Sequence, residues 1–507
     1  MISERNFPAF GAVLINFRMQ NQTPFFDGFH ILTLNKKRRG EAQKLALELR
    51  VLKEKSLSQL AVCFRKCVPE LLLRPSNEKH HSRQRIFSKE NTFWAFFSQV
   101  IDADGGCMEV VRKTQALAAV CGLKIPASST SAYCQARRKL EESALMNIFK
   151  HTAERIDSMP ERGFLKGRRV IVVDGTGVSM PDTAVNQEEW PQQSQQKEGC
   201  GFPTARICGC FSLATGGLLS FEVGNKKSME LPLLRKQWGI FREGDIFLGD
   251  KGFCSYYDLA NLKKRGVDSV ITLARRKPVD AAGAHEKLGE DDLLISWKKP
   301  VWHKRAAYTR EDWEALPSIL RVRQIKVTVD VPGWRVKSFY IITTLLDHEK
   351  YSAAELADLY LQRWDVELFF RDIKTTMGMD ILKCKSPEMI RKEIIMHFIA
   401  YNCIRMLMYE AAGEYGVDVG RLSFKGSLQA VRQWEPHLNH AGLSNRERRR
   451  ILSRLYDAIA ENEVPSRPGR SEPRCIKRRP KPFQLLSTVR HKMKEIPHRG
   501  KYRAKTA

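Results

Sequence analysis

Hydrophobic and polar positions change rhythm twice along the chain. From Glu41 to about Ile156 the pattern reads as helical. Asn91-Thr92-Phe93-Trp94-Ala95-Phe96-Phe97 opens one apolar helix, and Ser129-Thr130 is placed to cap another running through Ala136-Arg137-Arg138-Lys139-Leu140. Near Arg168 the text turns to short β-branched runs. Val170-Ile171-Val172-Val173 predicts a buried strand that delivers Asp174-Gly175-Thr176 at its end. Ala205 to Val223 predicts a hairpin turning at Gly216-Gly217. Ile246-Phe247-Leu248-Gly249 predicts another buried strand, delivering Asp250, and Ser269 to Leu273 a further one. Residues 275–338 are polar and rich in Trp and Pro, with strand-like alternation from Leu320 to Val329. Phe339 to Leu345 returns to a buried strand. A long helix is predicted from Ser352, and Ser386-Pro387 gives a cap and first-turn proline for a second helix through Met408.

Charge changes the picture most. The chain has 507 residues, 85 Lys+Arg against 57 Asp+Glu, and a net charge of +28. A polyanion, most simply nucleic acid, is the partner this implies; solubility alone asks for only ~2–8 charges on a small domain. The tail from Arg467 holds 14 Lys+Arg against two Glu, and five prolines, the composition of a poorly packed polyanion-binding arm. The basic run Lys36-Lys37-Arg38-Arg39 ends a segment with little pattern. A hydrophobic fraction of 43% excludes wholesale disorder, and the length is a prior for roughly three domains with cores of their own. The longest uncharged stretch, Ile207 to Phe221, has 15 residues, short of the ~18–20 a spanning helix needs. No signal-peptide core follows Met1. The 12 cysteines, close-paired at Cys63/Cys67 and Cys208/Cys210, lack zinc-site spacing and read as small buried hydrophobes.

The candidate chemistry is acidic. Asp174 and Asp250 end buried strands, and a two-cation site needs a third hard oxygen ligand. The helix from Ser352 supplies it. At about 100° per residue, Tyr360, Arg363, Glu367 and Lys374 fall within an arc of about 60°, whereas Asp365 points away. One acid, two cations and a phenol on one stripe fit phosphodiester chemistry: Arg363 as a bidentate phosphate clamp, Lys374 as a point charge, Tyr360 as donor or base platform. Isolated, such a stripe is most often a salt-bridged surface; its place in a very basic strand–strand–helix order points to a metal-dependent nuclease or phosphoryl transferase.

Tyr360-Leu-Gln-Arg363-Trp-Asp-Val-Glu367, followed after six residues by Lys374, resembles the Tyr-Arg-Glu-Lys signature of insertion element 4 family transposases. Val173-Asp174-Gly175-Thr176-Gly177 through Thr183 and Gly249-Asp250-Lys251-Gly252-Phe253 through Tyr256 resemble that family's two aspartate blocks, and the likeness covers roughly residues 85–485. The resemblance implies an α/β fold: a ribonuclease H-like core, a mixed β-sheet flanked by helices, with a β-rich insertion and a mainly helical N-terminal domain. The expected division is 1–40, a basic extension; 41–160, helical and DNA-binding; 165–274 and 339–430, the two parts of the core; 275–338, the insertion; and 431–507, a basic C-terminal region. It further implies that Asp174, Asp250 and Glu367 bind two Mg²⁺ (or Mn²⁺) ions, that Tyr360, Arg363 and Lys374 hold terminal phosphates and bases, and that cleavage passes through a hairpin before strand transfer. An insertion tryptophan is expected to stack on a flipped base, with Trp297 the first choice over Trp302, Trp313 and Trp334. Lys251 stands where the family often has Arg, keeping the charge and losing the fork. The implied partners are inverted-repeat and target DNA, with a homodimer on DNA, no membrane, and a prokaryotic cytoplasmic, nucleoid-associated location. Two alternatives remain open: a catalytically inactive DNA-binding remnant, and a metal-dependent nuclease on the same fold.

Overall fold

The computed structural model describes residues 64, 67–73, 86–120, 124–161, 163–197, 199–225, 228–273, 278–303, 308–329, 338–438, 444–465, 489 and 492. The basic run at 36–39, Cys63, Trp334, Cys475 and nearly all of the basic tail lie outside them.

Nine strands form one sheet: β1 Val170–Ser179, β2 Thr204–Ser212, β3 Leu218–Asn225, β4 Ile246–Gly249, β5 Asp268–Thr272, β6 Glu286–Gly289, β7 Asp292–Lys298, β8 Ile319–Thr328 and β9 Ser338–Thr343, in the order β3-β2-β1-β4-β5-β9-β8-β7-β6. β1 lies antiparallel to β2 and parallel to β4, and β4 is parallel to β5. The remaining pairs are antiparallel. Val170–Val173 of β1 and Ile246–Gly249 of β4 are fully buried because both faces of the sheet are covered there, which is why these stretches carry no polar side chain. The predicted hairpin forms: Gly216, at φ +68°, makes the left-handed turn between β2 and β3.

The helices that matter here are α1 Lys89–Ile101, α2 Cys107–Val120, α3 Ser131–Lys139, α4 Glu142–Asp157, α5 Glu230–Arg235, α6 Tyr256–Lys264, α7 Ala353–Leu361, α8 Asp365–Arg371, α9 Pro387–Tyr415, α10 Phe424–Leu438 and α11 Asn445–Ala460. Helix α1 is capped by Ser88, whose Oγ accepts from the Asn91 N–H at 3.2 Å, and buries Phe93, Trp94, Phe96 and Phe97. Thr130 precedes α3 without a side-chain cap bond. α3 is tied to α1 by Tyr133 and Arg137, which both donate to Gln99 Oε1, at 2.7 and 2.8 Å. Helix α9 starts at Pro387, stops at Gly416 in the left-handed region, and is buried on nearly every side from Met389 to Met408. One apolar core is continuous from Phe64 through α1, α4, the sheet and α9 to Ile459.

Two sequence expectations change. Asp174 does not end its strand: β1 runs on to Ser179, because β2 keeps pairing with it after β4 has stopped at Gly249. The helix from Ser352 is not continuous. α7 gives way to a 3-10 turn at Gln362–Trp364, α8 follows, and a π turn at Asp372–Thr376 ends the run. Among the described residues no helix is long and apolar enough to cross a membrane.

Candidate active site

Register brings the two aspartates together. In the parallel pair, Val173 lies opposite Gly249, so Asp174 and Asp250 are the next residues along neighbouring strands, which run ~4.8 Å apart. Asp174 Oδ1 accepts from the Gly175 N–H at 2.7 Å. Asp250 caps a single 3-10 turn, Lys251–Phe253, accepting from the Gly252 N–H at 2.7 Å. Burial pushes the Asp174 carboxyl up to about 6; Asp250 and Glu230 add to the rise, while the Gly175 N–H and Arg363 oppose it.

Glycines let the third element approach. Gly209 stands opposite Asp174 on β2, and a Cβ there would meet Phe370 Cζ at 3.1 Å and Phe211 Cε2 at 2.9 Å. Phe370 packs edge-on against Phe211 with ring centroids 5.0 Å apart. Val366, Phe369, Phe370 and Ile373 seat α8 and the π turn on the sheet, leaving Glu367 outward and 41% exposed at its side chain. Arg363 Nη2 pairs with Glu367 Oε1 at 3.2 Å. The same guanidinium lies near enough to Asp174 and Tyr360 to lower both. Tyr360 shares a 2.6 Å hydrogen bond with Thr272 of β5 and packs against Phe339. Its hydroxyl is raised mainly by burial, with Asp250 adding.

Asp174, Asp250, Tyr360, Arg363 and Glu367 therefore form one neighbourhood. Lys374 sits in the π turn, where burial lowers its ammonium and Asp380 opposes that. The helical-wheel stripe assumed a regular helix through Lys374, and the 3-10 and π turns change the angles. The Asp365 carboxyl is raised mainly by burial, with Arg405 opposing and Asp418 adding. Lys251 is exposed beside Asp250. Trp297 is buried in β7, opposite Leu320, 6% exposed and part of the core, so its ring is not presented at the surface in this conformation. Trp313 is likewise buried and Trp302 partly so.

Three residues were not singled out from sequence. Trp364 is half exposed, its ring centroid 5.8 Å from the Arg363 guanidinium carbon. Glu230, the first residue of α5, is raised mainly by burial, with Asp250 adding and Arg206 opposing; Arg206 Nη1 lies 4.0 Å from its Oε1. Twenty residues from Asp250 and on a separate helix, Glu230 has no spacing signal. Its one trace is Gly175, which has no room for a Cβ beside it.

Hard oxygen donors, a buried Asp174 and mutually repelling neighbours suit a hard divalent cation. Among the described residues no three His, Cys, Asp or Glu side chains are close enough together to hold one, and Glu367 is engaged by Arg363. Cys67, Cys208 and Cys210 are buried free thiols.

Residues 165–403 match the model of the transposase DDE domain. The chain is 26% identical over 361 residues to the transposase InsG for insertion sequence element IS4 of Escherichia coli (strain K12), spanning 70% of this chain and 78% of that one. It is 33% identical over 73 residues to the probable transposase for insertion sequence element IS5377 of Geobacillus stearothermophilus, 14% of this chain and 19% of that one. A cryo-EM structure of the piggyBac transposase synaptic complex with hairpin DNA aligns over 78% of this chain and 85% of that one, with 12% identity and a TM-score of 0.39.

Proposed function

We propose that this chain, whose residues 165–403 match the transposase DDE domain and which is 26% identical over 361 residues to an insertion element 4 transposase, is a DNA transposase of that family that cuts the ends of its own element and joins them to target DNA from a ribonuclease H-like core. The observation that carries the reading is the β1–β4 register: it sets Asp174 beside Asp250, with the Arg363–Glu367 pair of the 3-10 turn and α8 as the third element.

Asp174, Asp250 and Glu367 are the residues that would hold Mg²⁺ or Mn²⁺, and a bound ion pair would activate the attacking oxygen and neutralise the phosphate. For Glu367 to take part, Arg363 must release it. A DNA phosphate competes for the same guanidinium by a bidentate pair, so substrate binding itself frees the third carboxylate. Tyr360, fixed by Thr272, holds a terminal phosphate or base beside Arg363. Trp364, rather than the enclosed Trp297, presents a ring face on which an unstacked base rests. Lys251 and Lys374 supply peripheral positive charge. The first cut frees a 3′-hydroxyl, which attacks the opposite strand to close a hairpin; after the hairpin is opened, the same hydroxyl attacks target DNA. The helices of residues 86–157 and the basic regions at both ends of the chain grip the inverted repeats, and two copies hold two ends. Light scattering that finds one chain per pair of ends would contradict the last point.

Glu367→Gln tests the core of the reading. The amide keeps shape and loses charge, so end binding is expected to persist while nicking falls by at least ~10³-fold, as for loss of a group acting in the transition state. Retained nicking would remove Glu367 from the ligand set. Cutting scattered along any DNA would favour a plain nuclease.

A further inference from the structure

Beyond Asp174, the free half of β1 walls a cleft of about 510 Å³. Its other sides are the turn Gln193–Gln195, the β2 segment Thr204–Arg206, and Glu230. No large apolar side chain lines it, unlike the mostly apolar sites that take small organic ligands. It offers amides, hydroxyls, one guanidinium and one carboxylate, the groups that pair with base edges and phosphates.

The two glycines of β1 in this wall have different causes. At Gly175 a Cβ would lie 2.3 Å from Glu230 Oε1, so the protein itself excludes a side chain. At Gly177 a Cβ would meet nothing closer than 3.8 Å. Gly177 is exposed and its φ is not positive, so neither packing nor backbone conformation requires glycine. Glycine inside a strand costs roughly 0.5–1 kcal/mol relative to alanine. Where the protein has no need of it, it marks the close approach of something else. The facing turn is already fixed: Gln192 accepts from the Gly201 N–H at 2.9 Å and donates to the Lys197 carbonyl at 2.8 Å. Within the described residues the side chains of Gln193, Ser194 and Gln195 make no hydrogen bonds and are exposed to the cleft. Arg206, only loosely paired with Glu230 at 4.0 Å and 42% exposed, is available to an anion.

We propose that this cleft is a nucleotide subsite. It takes the nucleotide adjoining the scissile phosphate, its base over Gly177 and against the amides of Gln193 and Gln195, and its phosphate on Arg206. The proposal rests on the DNA-cleaving reading above and names part of its substrate contact.

The test uses the full chain, Mg²⁺, and a duplex carrying the inverted repeat that flanks this reading frame. Gly177→Val adds a strand-favouring side chain whose Cβ comes no closer than 3.8 Å to any protein atom and which intrudes on the cleft. Its thermal midpoint is expected to equal or exceed wild type while nicking falls at least tenfold. An abasic site at the adjoining nucleotide should narrow that gap, because the base no longer competes for the space. Wild-type nicking by Gly177→Val, or a gap unchanged on the abasic duplex, would overturn the proposal. Should Gly177→Val fail to fold, Gln193→Ala/Gln195→Ala decides: unchanged nicking overturns the subsite, and at least a fivefold loss on the intact duplex but not on the abasic one supports it. A wild-type chain that cuts no duplex brings down the functional reading and the subsite together; one that cuts, with variants equally active, removes only the subsite.

Discussion

A methyl group at Gly175 has nowhere to go until Glu230 moves, since its carboxylate carbon would stand 2.5 Å away. Gly175→Ala is therefore expected to swing Glu230 out of its half-buried position and to lower the thermal midpoint. Glu230→Ala in the same chain should restore part of it, with a coupling energy of about 0.5–3 kcal/mol, the range for residues in contact. Additive effects in the double-mutant cycle would mean that the two do not touch. Gly209→Ala is the sterner case, because its neighbours are the rings of Phe211 and Phe370 rather than a flexible side chain. Overpacking of this kind costs about 1–3 kcal/mol, and it would also lift α8, so nicking should fall more steeply than stability. A variant with lowered stability and full activity would show that α8 does not depend on this contact.

At the scale of elements, what could be read from sequence depended on whether the cause was local. Val170–Val173, Ile246–Gly249 and the Gly216-Gly217 turn are legible because buried strands must be apolar and a left-handed turn favours glycine. The breaks at Gln362 and Asp372 were not legible. They depend on where Val366, Phe369 and Phe370 dock on a sheet assembled from distant segments, and no residue in the run signals them. Asn402 is another case: a polar residue inside an apolar helix that reads as a flaw. Its amide accepts from the Leu218 N–H and donates to the Leu218 carbonyl, both at 2.8 Å, so it satisfies the sheet backbone where β3 begins. Asn402→Leu should cost about 2–6 kcal/mol, from two orphaned backbone groups at ~1–3 each, seen as a lower denaturation midpoint. Glu435 of α10 gives a pH dependence. Burial, with Asp102 adding and Lys113 opposing, pushes its carboxyl up to about 7. The folded chain holds this proton more tightly than the unfolded one, so the group's contribution is fully favourable below about 4.5 and is lost as pH rises to about 7. Glu435→Gln removes the titration. Its midpoint should exceed wild type by a margin that grows across that window and then levels; a margin independent of pH would refute the shift.

For the whole molecule, the charge of +28 acts with opposite sign on two measurable quantities. In the free protein like charges repel and oppose the compact state. Added salt screens them over a Debye length that shrinks from about 10 Å at 0.1 M to about 3 Å at 1 M, so the thermal midpoint of the free chain should rise with salt. On DNA the same cations displace condensed counterions, and affinity falls with salt at about −0.9 log units per log unit for each phosphate neutralised. Six or more such contacts would cost about 10³-fold between 50 and 200 mM. Because phosphate contacts carry no sequence information, a duplex with the inverted repeat and one without it should share much of this slope while differing in intercept. Equal intercepts would assign all binding to charge and leave no module reading the repeat. A flat slope together with a flat midpoint would mean that the excess cations already have partners within the chain. That outcome would remove the electrostatic link between composition and function while leaving the carboxylate register, which rests on geometry alone, where it stands.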